Sequence, residues 1–185
     1  MSDQVITTLE EKIGKSLQSL KNEMNTIRAG RANPALLDKV TVNYYGTETP
    51  LKQLANVSIP DARTLVVTPF DPKSIGDIEH GIQAANIGIN PVNDGKLIRL
   101  VVPQVTEERR KELTKEVKSL GEEGKVAVRN LRKKAIDDLK KEEKEGELTE
   151  DELHLEQDEV QEHIDRAIAD IDEMVAEKDK EIMEV

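Results

Sequence analysis

No cysteine occurs among the 185 residues, which excludes disulfide frameworks and thiolate metal sites. Tryptophan is absent too, and the aromatic complement is one Phe and two Tyr. Such poverty argues against the stacking platforms with which RRM and OB domains hold bases. No apolar run approaches the ~20 residues needed to span a bilayer, and Met1-Ser2-Asp3-Gln4 lacks the basic-then-apolar pattern of a signal peptide. A soluble cytoplasmic protein with no membrane partner is expected.

A legible catalytic or metal constellation is also missing. Gly14-Lys15-Ser16 matches the end of a P-loop, but Leu9 stands where that motif needs its first glycine, and no strand precedes it. His80, His154 and His163 lack ligand-spaced His or Cys partners, and the i,i+4 pairs His154–Asp158 and Glu159–His163 read best as solvated helix surface. No nucleophile–base–orienter set emerges, so no catalytic residue, cofactor or metal is expected.

What the chain does have is charge. Charged residues make up 35% of it, with a net charge of −11. Residues 1–30 carry four acids and four bases, residues 31–105 seven of each, and residues 106–145 eleven acids and thirteen bases. Residues 150–185 carry fifteen acids against three bases. The acidic excess therefore belongs to the C-terminal segment and says little about the partners of the rest.

Apolar periodicity marks three long helices. The first covers 5–28, with Ile6, Leu9, Ile13, Leu17, Leu20, Met24 and Ile27 at spacings of three and four. The second, 106–145, aligns Leu113, Val117, Leu120, Val128, Leu131, Ala135 and Leu139. The third, 149–184, repeats Leu153, Val160, Ile164, Ala167, Ile171, Met174 and Ile182. Thr149 and Glu152 have capping-box spacing, Thr106 is a candidate N-cap, and Lys144–Glu147 suits a short antiparallel link.

Residues 31–105 differ, with more Pro, Gly and β-branched residues and a period near two. Strands are predicted at Val40–Tyr44, Arg63–Thr68 and Leu97–Val102, the last after an Asp94-Gly95 turn. Asp71-Pro72 should start a short helix with Ile75, Ile78, Ile82 and Ala85 on one face. The predicted fold is α+β: an elongated antiparallel three-helix bundle (1–30 and 105–185) carrying a small inserted α+β domain (31–104). The chain crosses between them twice, at Gly30–Pro34 and Pro103–Thr106, as a restricted hinge would require.

The second helix is the informative element. At about 100° per residue, Lys111, Lys115, Lys118, Lys125, Arg129, Arg132, Lys133 and Lys140 share one arc. The apolar seam occupies another sector, and Glu112, Glu116, Glu123 and Asp137 a third. One account is a charged coiled-coil surface whose cations pair with nearby Glu or with the acidic third helix. The other is a basic line laid along phosphates without base readout, which Arg129 and Arg132 favour because Arg grips phosphate with a fork. Gly121 and Gly124 interrupt this helix, at about 1 kcal/mol each relative to Ala.

Several motifs carry a family resemblance. Ile27-Arg28-Ala29-Gly30-Arg31-Ala32-Asn33-Pro34 resembles the hinge-proximal motif of bacterial-type ribosome recycling factors. Thr106-Glu107-Glu108-Arg109-Arg110-Lys111 is similar to that family's second hinge and helix start, and Val126-Ala127-Val128-Arg129-Asn130-Leu131-Arg132 to its mid-helix basic motif. Tyr44-Tyr45-Gly46-Thr47 and Asn86-Ile87-Gly88 followed by Asn90-Pro91 also match, in order, over essentially the whole chain. Gly121 and Gly124 depart from the good helix formers expected there.

The resemblance implies an L-shaped, tRNA-sized monomer. Its bundle would bind the large ribosomal subunit of the post-termination complex through ribosomal RNA. With elongation factor G and GTP, it would release ribosomes from mRNA by splitting the subunits. Arg28, Arg31, Arg110, Arg129 and Arg132 carry over as RNA contacts, and Gly30, Pro34, Pro103 and Thr106 as the hinge. The basic arc adds Lys118, Lys125 and Lys133. Without a ribosome, Arg28 and Arg31 would cap the first helix's C-terminal carbonyls, and Arg110 would pair with Glu107. The competing class is a chaperone or adaptor resembling prefoldin, holding clients between helix tips; an enzyme comes third.

Overall fold

Three long helices carry the apolar periodicity: α1 (Ser2–Asn25), α3 (Glu107–Lys144) and α4 (Glu150–Met183). They belong to a computed structural model that describes residues 2–184. The stripe of α1 is buried at Ile6, Leu9, Ile13, Leu20 and Met24, and Ile27 beyond its end is buried as well. Leu113, Val117, Val128, Ala135 and Leu139 of α3 and Leu153, Val160, Ile164, Ala167, Ile171 and Ile182 of α4 are buried too. Each such Leu, Ile or Val contributes about 1.5–3 kcal/mol through the apolar area it removes from water.

The helix ends follow the local sequence. Thr149 Oγ1 accepts from Glu152 N at 3.1 Å, and Glu152 Oε2 accepts from Thr149 N at 3.0 Å, completing the capping box that starts α4. Before it, Gly146 takes φ +78°. Its N–H donates to Glu143 O at 3.0 Å and that of Glu147 to Glu142 O at 2.9 Å, the Schellman arrangement that turns α3 back into α4.

The chain divides into two compact units: residues up to Ile27 with Glu108–Glu184, and Arg28–Glu107. The second contains an antiparallel hairpin, β1 (Thr41–Tyr44) with β2 (Thr47–Pro50). It also contains an antiparallel sheet of β3 (Ala55–Asp61), β4 (Thr64–Pro69), β5 (Pro91–Asn93) and β6 (Ile98–Val101) in the order β3-β4-β6-β5. Helix α2 (Ile75–Ala84) follows a 3₁₀ turn that Asp71 caps, its carboxylate accepting from Lys73 N at 3.0 Å. Leu65, Val67, Ile78, Ile82, Ile98 and Leu100 form the centre of this unit's core.

Three strands escape sequence reading. β2 is Thr-Glu-Thr-Pro, β5 is three residues beginning with proline, and β3 carries Pro60 at a register shift. All three lie at edges, where burial imposes no alternation and proline is tolerated. Ala85 is exposed, because α2 stops at Ala84 and Ala85 is its C-cap.

Gly121 and Gly124 require a correction: α3 runs through both without a break. A Cβ built on Gly121 would lie 2.6 Å from Val175 Cγ2, and one on Gly124 would lie 3.0 Å from Leu20 Cδ2. Val175 of α4 comes too close to Gly121 for a Cβ unless it shifts, whereas Gly124 faces the flexible end of Leu20 of α1. The four residues expected to form the hinge are grouped with the small unit. Gly30, Pro34, Pro103 and Thr106 all lie within the Arg28–Glu107 unit, and Pro34 opens a 3₁₀ turn capped by Asn33.

The two glycines make opposite predictions. Gly121→Ala gains about 1 kcal/mol of helix propensity but suffers about 1–3 kcal/mol of overpacking against a stiff β-branched Val175, so it should destabilise by roughly 1 kcal/mol. Gly124→Ala meets only the flexible end of Leu20 and should be neutral within about 0.5 kcal/mol. Urea unfolding measures both, and Val175→Ala should rescue the first. Equal stabilisation by both alanines would mean the close approach is not what selects glycine.

Candidate nucleic-acid interface

With α1 and α4 covering its apolar seam, α3 has two remaining sides, and they differ in how their charges are used. Arg109 contacts Glu112 at 2.9 Å and Glu116 at 3.7 Å, Lys134 contacts Asp138 at 2.8 Å, and Lys141 contacts Glu145 at 4.0 Å. Helical geometry puts these three cations on the acidic flank, so that side neutralises itself along the helix. Exposed pairs of this kind contribute little stability.

The basic side is different. Lys111, Lys115, Lys118, Arg129, Lys133 and Lys140 are exposed. Arg132 is exposed and anchored, its Nε donating to Gln161 Oε1 at 2.8 Å; Gln161 is held in turn by Asp165 at 2.8 Å. That bond uses one edge of the guanidinium and sets its direction. A fork oriented by a neutral amide keeps its full positive charge.

Lys125 does not share this role. Its side chain is only 19% exposed, with Nζ 2.6 Å from Asp172 and 3.9 Å from Glu122. It belongs to the α3–α4 seam, as the coiled-coil account of these charges requires. Gly124 beside it packs against Leu20 of α1 and against Ile171 of α4, the chain neighbour of Asp172.

The remaining arginines are scattered. Arg110 is half-buried, and its Nε is buried without a hydrogen-bond partner. Arg31 is half-buried in the small unit. Arg28 does not cap α1; its Nη1 donates to the carbonyl of Ile87, beside Gly88. Arg63, which no sequence pattern marks, donates to Val102 O through Nε at 3.3 Å and Nη2 at 3.1 Å. Its partner is a main-chain carbonyl 39 residues away, which leaves no local signature.

No helix is long and apolar enough to cross a membrane, and no metal-holding group of His, Cys, Asp or Glu occurs, among the described residues. The ribosome recycling factor family model matches residues 20–183. The chain belongs to the ribosome recycling factor family. It is 54% identical to the ribosome-recycling factor of Bacillus subtilis over 185 residues, all of both chains. With that of Enterococcus faecalis it shares 58% over 153 residues, 83% of each. A solution structure of a ribosome recycling factor superposes with a TM-score of 0.81 at 34% identity, covering 100% of this chain and 98% of that one. Models of the T. thermophilus factor, bound with E. coli elongation factor G to the E. coli post-termination complex, give a TM-score of 0.68 at 41% identity. They cover 99% of each chain. Family membership displaces the prefoldin-like alternative.

Acidic crowding at the α3–α4 turn gives a pH prediction. Burial and then the neighbouring Glu147 raise the Glu142 carboxyl above its ordinary range, with Glu156 and Asp138 adding to it. Its Oε2 is buried without a partner. A raised carboxyl holds its proton more tightly in the folded state, so ionisation at neutral pH opposes folding and stability rises as pH falls through that pKa. Glu142→Gln should therefore raise the thermal midpoint at neutral pH, with the gain shrinking in mild acid. A gain independent of pH would assign the effect to packing.

Proposed function

We propose that this protein recycles ribosomes. The helical unit binds the large ribosomal subunit of the post-termination complex through ribosomal RNA. Together with elongation factor G and GTP, it releases ribosomes from mRNA by splitting the subunits. It acts as a monomer in the cytoplasm by binding alone, with no catalytic residue, cofactor or metal of its own. The observation that carries this reading is the line of exposed cations along α3, Lys118, Arg129, Arg132 and Lys133, in a chain that belongs to this family.

In this reading the four cations lie along phosphates of folded RNA, with Arg132 preset by Gln161. Arg110 contributes near the start of α3, and Arg31 contributes from the small unit. Arg28 contributes through the guanidinium edge that does not bond Ile87, and Lys125 contributes least. The acidic face of α4 opposes binding in any other rotation about the bundle, because phosphates are repelled there. Specificity then comes from the shape that places the cations, since no side chain on this line is arranged to read a base.

Replacing Arg132 by Ala should weaken large-subunit binding at least about tenfold while changing unfolding stability by less than about 0.5 kcal/mol, as usual for an exposed side chain. Pull-down of large subunits over a salt series checks the rest. Removing Lys118 and Lys133 should flatten the log–log salt dependence by up to about two units, somewhat under one per phosphate contact. Lys125→Met should leave the slope as it was. A slope unaffected by the Lys118 and Lys133 replacements would place RNA on some other surface.

A further inference from the structure

Both segments that carry the chain into and out of the small unit are fastened to one two-residue loop. The β3–β4 hairpin turns at Ala62 and Arg63. Ala62 O accepts from Ala32 N, on the segment leaving α1, at 2.8 Å. Arg63 O accepts from Val102 N, on the segment returning to α3, also at 2.8 Å. The Arg63 guanidinium adds its two bonds to Val102 O, so Val102 is held at both its main-chain groups by the same residue.

The two segments also touch each other. A Cβ on Gly30 would lie 2.9 Å from Val105 Cγ2 and 3.6 Å from Pro103 O, and Gly30 itself sits at φ +78°. A side chain there would be both strained and obstructed. The loop has its own brace: Asp61 Oδ1 accepts from Arg63 N at 2.9 Å. At the α1 end, Thr26 N and Ile27 N donate to Glu23 O and Met24 O at 3.1 Å each, which ties those residues back to the helix. Arg28 is held by Ile87.

We propose that Arg63 is a positioning residue for recycling: it makes the β3–β4 loop a clasp that welds both connecting segments to the small unit. Residues 28–34 and 102–105 then move with that unit as one arm, and the turning points contract to the Ile27–Arg28 and Val105–Glu107 links. Force applied to the small unit reaches the helical unit through a stiff arm instead of being absorbed by slack connectors. Arg63 itself touches neither RNA nor a partner protein in this scheme. The inference rests on the recycling reading.

The test uses the full-length chain with purified post-termination ribosomes, elongation factor G and GTP, comparing wild type with Arg63→Met and Arg63→Lys. Amide hydrogen exchange at Val102 should quicken at least about tenfold in Arg63→Met, since local opening sets exchange where the sheet itself stays folded. Large-subunit binding should stay within about twofold while splitting slows at least about fivefold, because the lost group acts on motion and not on contact. Arg63→Lys, with one donor left to reach Val102 O, should recover part of the splitting rate.

Faster exchange with normal splitting would overturn the proposal, and so would unchanged exchange at Val102 or loss of binding in step with splitting. If Arg63→Met loses protection across β4 and β6, the small unit has unfolded, and Arg63→Lys decides by the same criteria. A wild-type chain that neither binds nor splits ribosomes would sink the recycling reading instead; Val102 exchange would still report whether the clasp exists.

Discussion

The close approach of α1 and α4 to α3 around Gly121 and Gly124 is the constraint on which the helical unit depends. A 38-residue helix is about 57 Å long at 1.5 Å per residue, and it has to satisfy two neighbours along its length. Leu20 of α1 and Ile171 and Val175 of α4 fit against it because two side chains are missing. The propensity lost at Gly121 is offset by packing against Val175 that a Cβ would disturb. With both neighbours on one side, the opposite side of α3 stays open over several turns.

That division of the helix surface organises the charge. Cations on the acidic flank find carboxylates three, four or seven residues away, and Lys125, drawn into the seam, finds Asp172. The cations on the open side remain exposed, and one of them is aimed by a neutral Gln. A chain of net charge −11 can thus present a positive line, because fifteen acids are confined to α4 and its C-cap. An acid-rich chain and an RNA-binding face are compatible once the charges are segregated, and segregation also disfavours docking by the wrong face.

The small unit solves a different problem. Its own core is aliphatic and buried, yet the two segments leaving it carry polar main chain that has to be satisfied. The β3–β4 loop meets that need with the carbonyls of Ala62 and Arg63 and the guanidinium of Arg63. Hydrogen bonding of this kind ties the connectors to the sheet. The unit boundary falls at Ile27/Arg28 and Glu107/Glu108, outside the Gly-Arg-Ala-Asn-Pro stretch that looks most like a flexible joint.

Much of this could be read from residue order alone. The three helices, the capping box at Thr149 and the strands holding Val42, Val67 and Ile98 follow from periodicity and from neighbouring residues, and the family resemblance rests on motifs spread along the chain. These are local properties, set by 3.6- and 2-residue repeats and by caps a few residues apart. Tertiary structure decided what depends on residues distant in the chain. It made the two glycines packing sites, moved Lys125 into the α3–α4 seam, gave Arg132 its Gln161 anchor, and bonded Arg28 to Ile87 and Arg63 to Val102. The edge strands β2, β3 and β5 belong with these, since a strand with little of either face buried shows little alternation and depends on a partner for its hydrogen bonds. Sequence determines which side chains share a helix face; only packing determines which of those faces stays open to a partner.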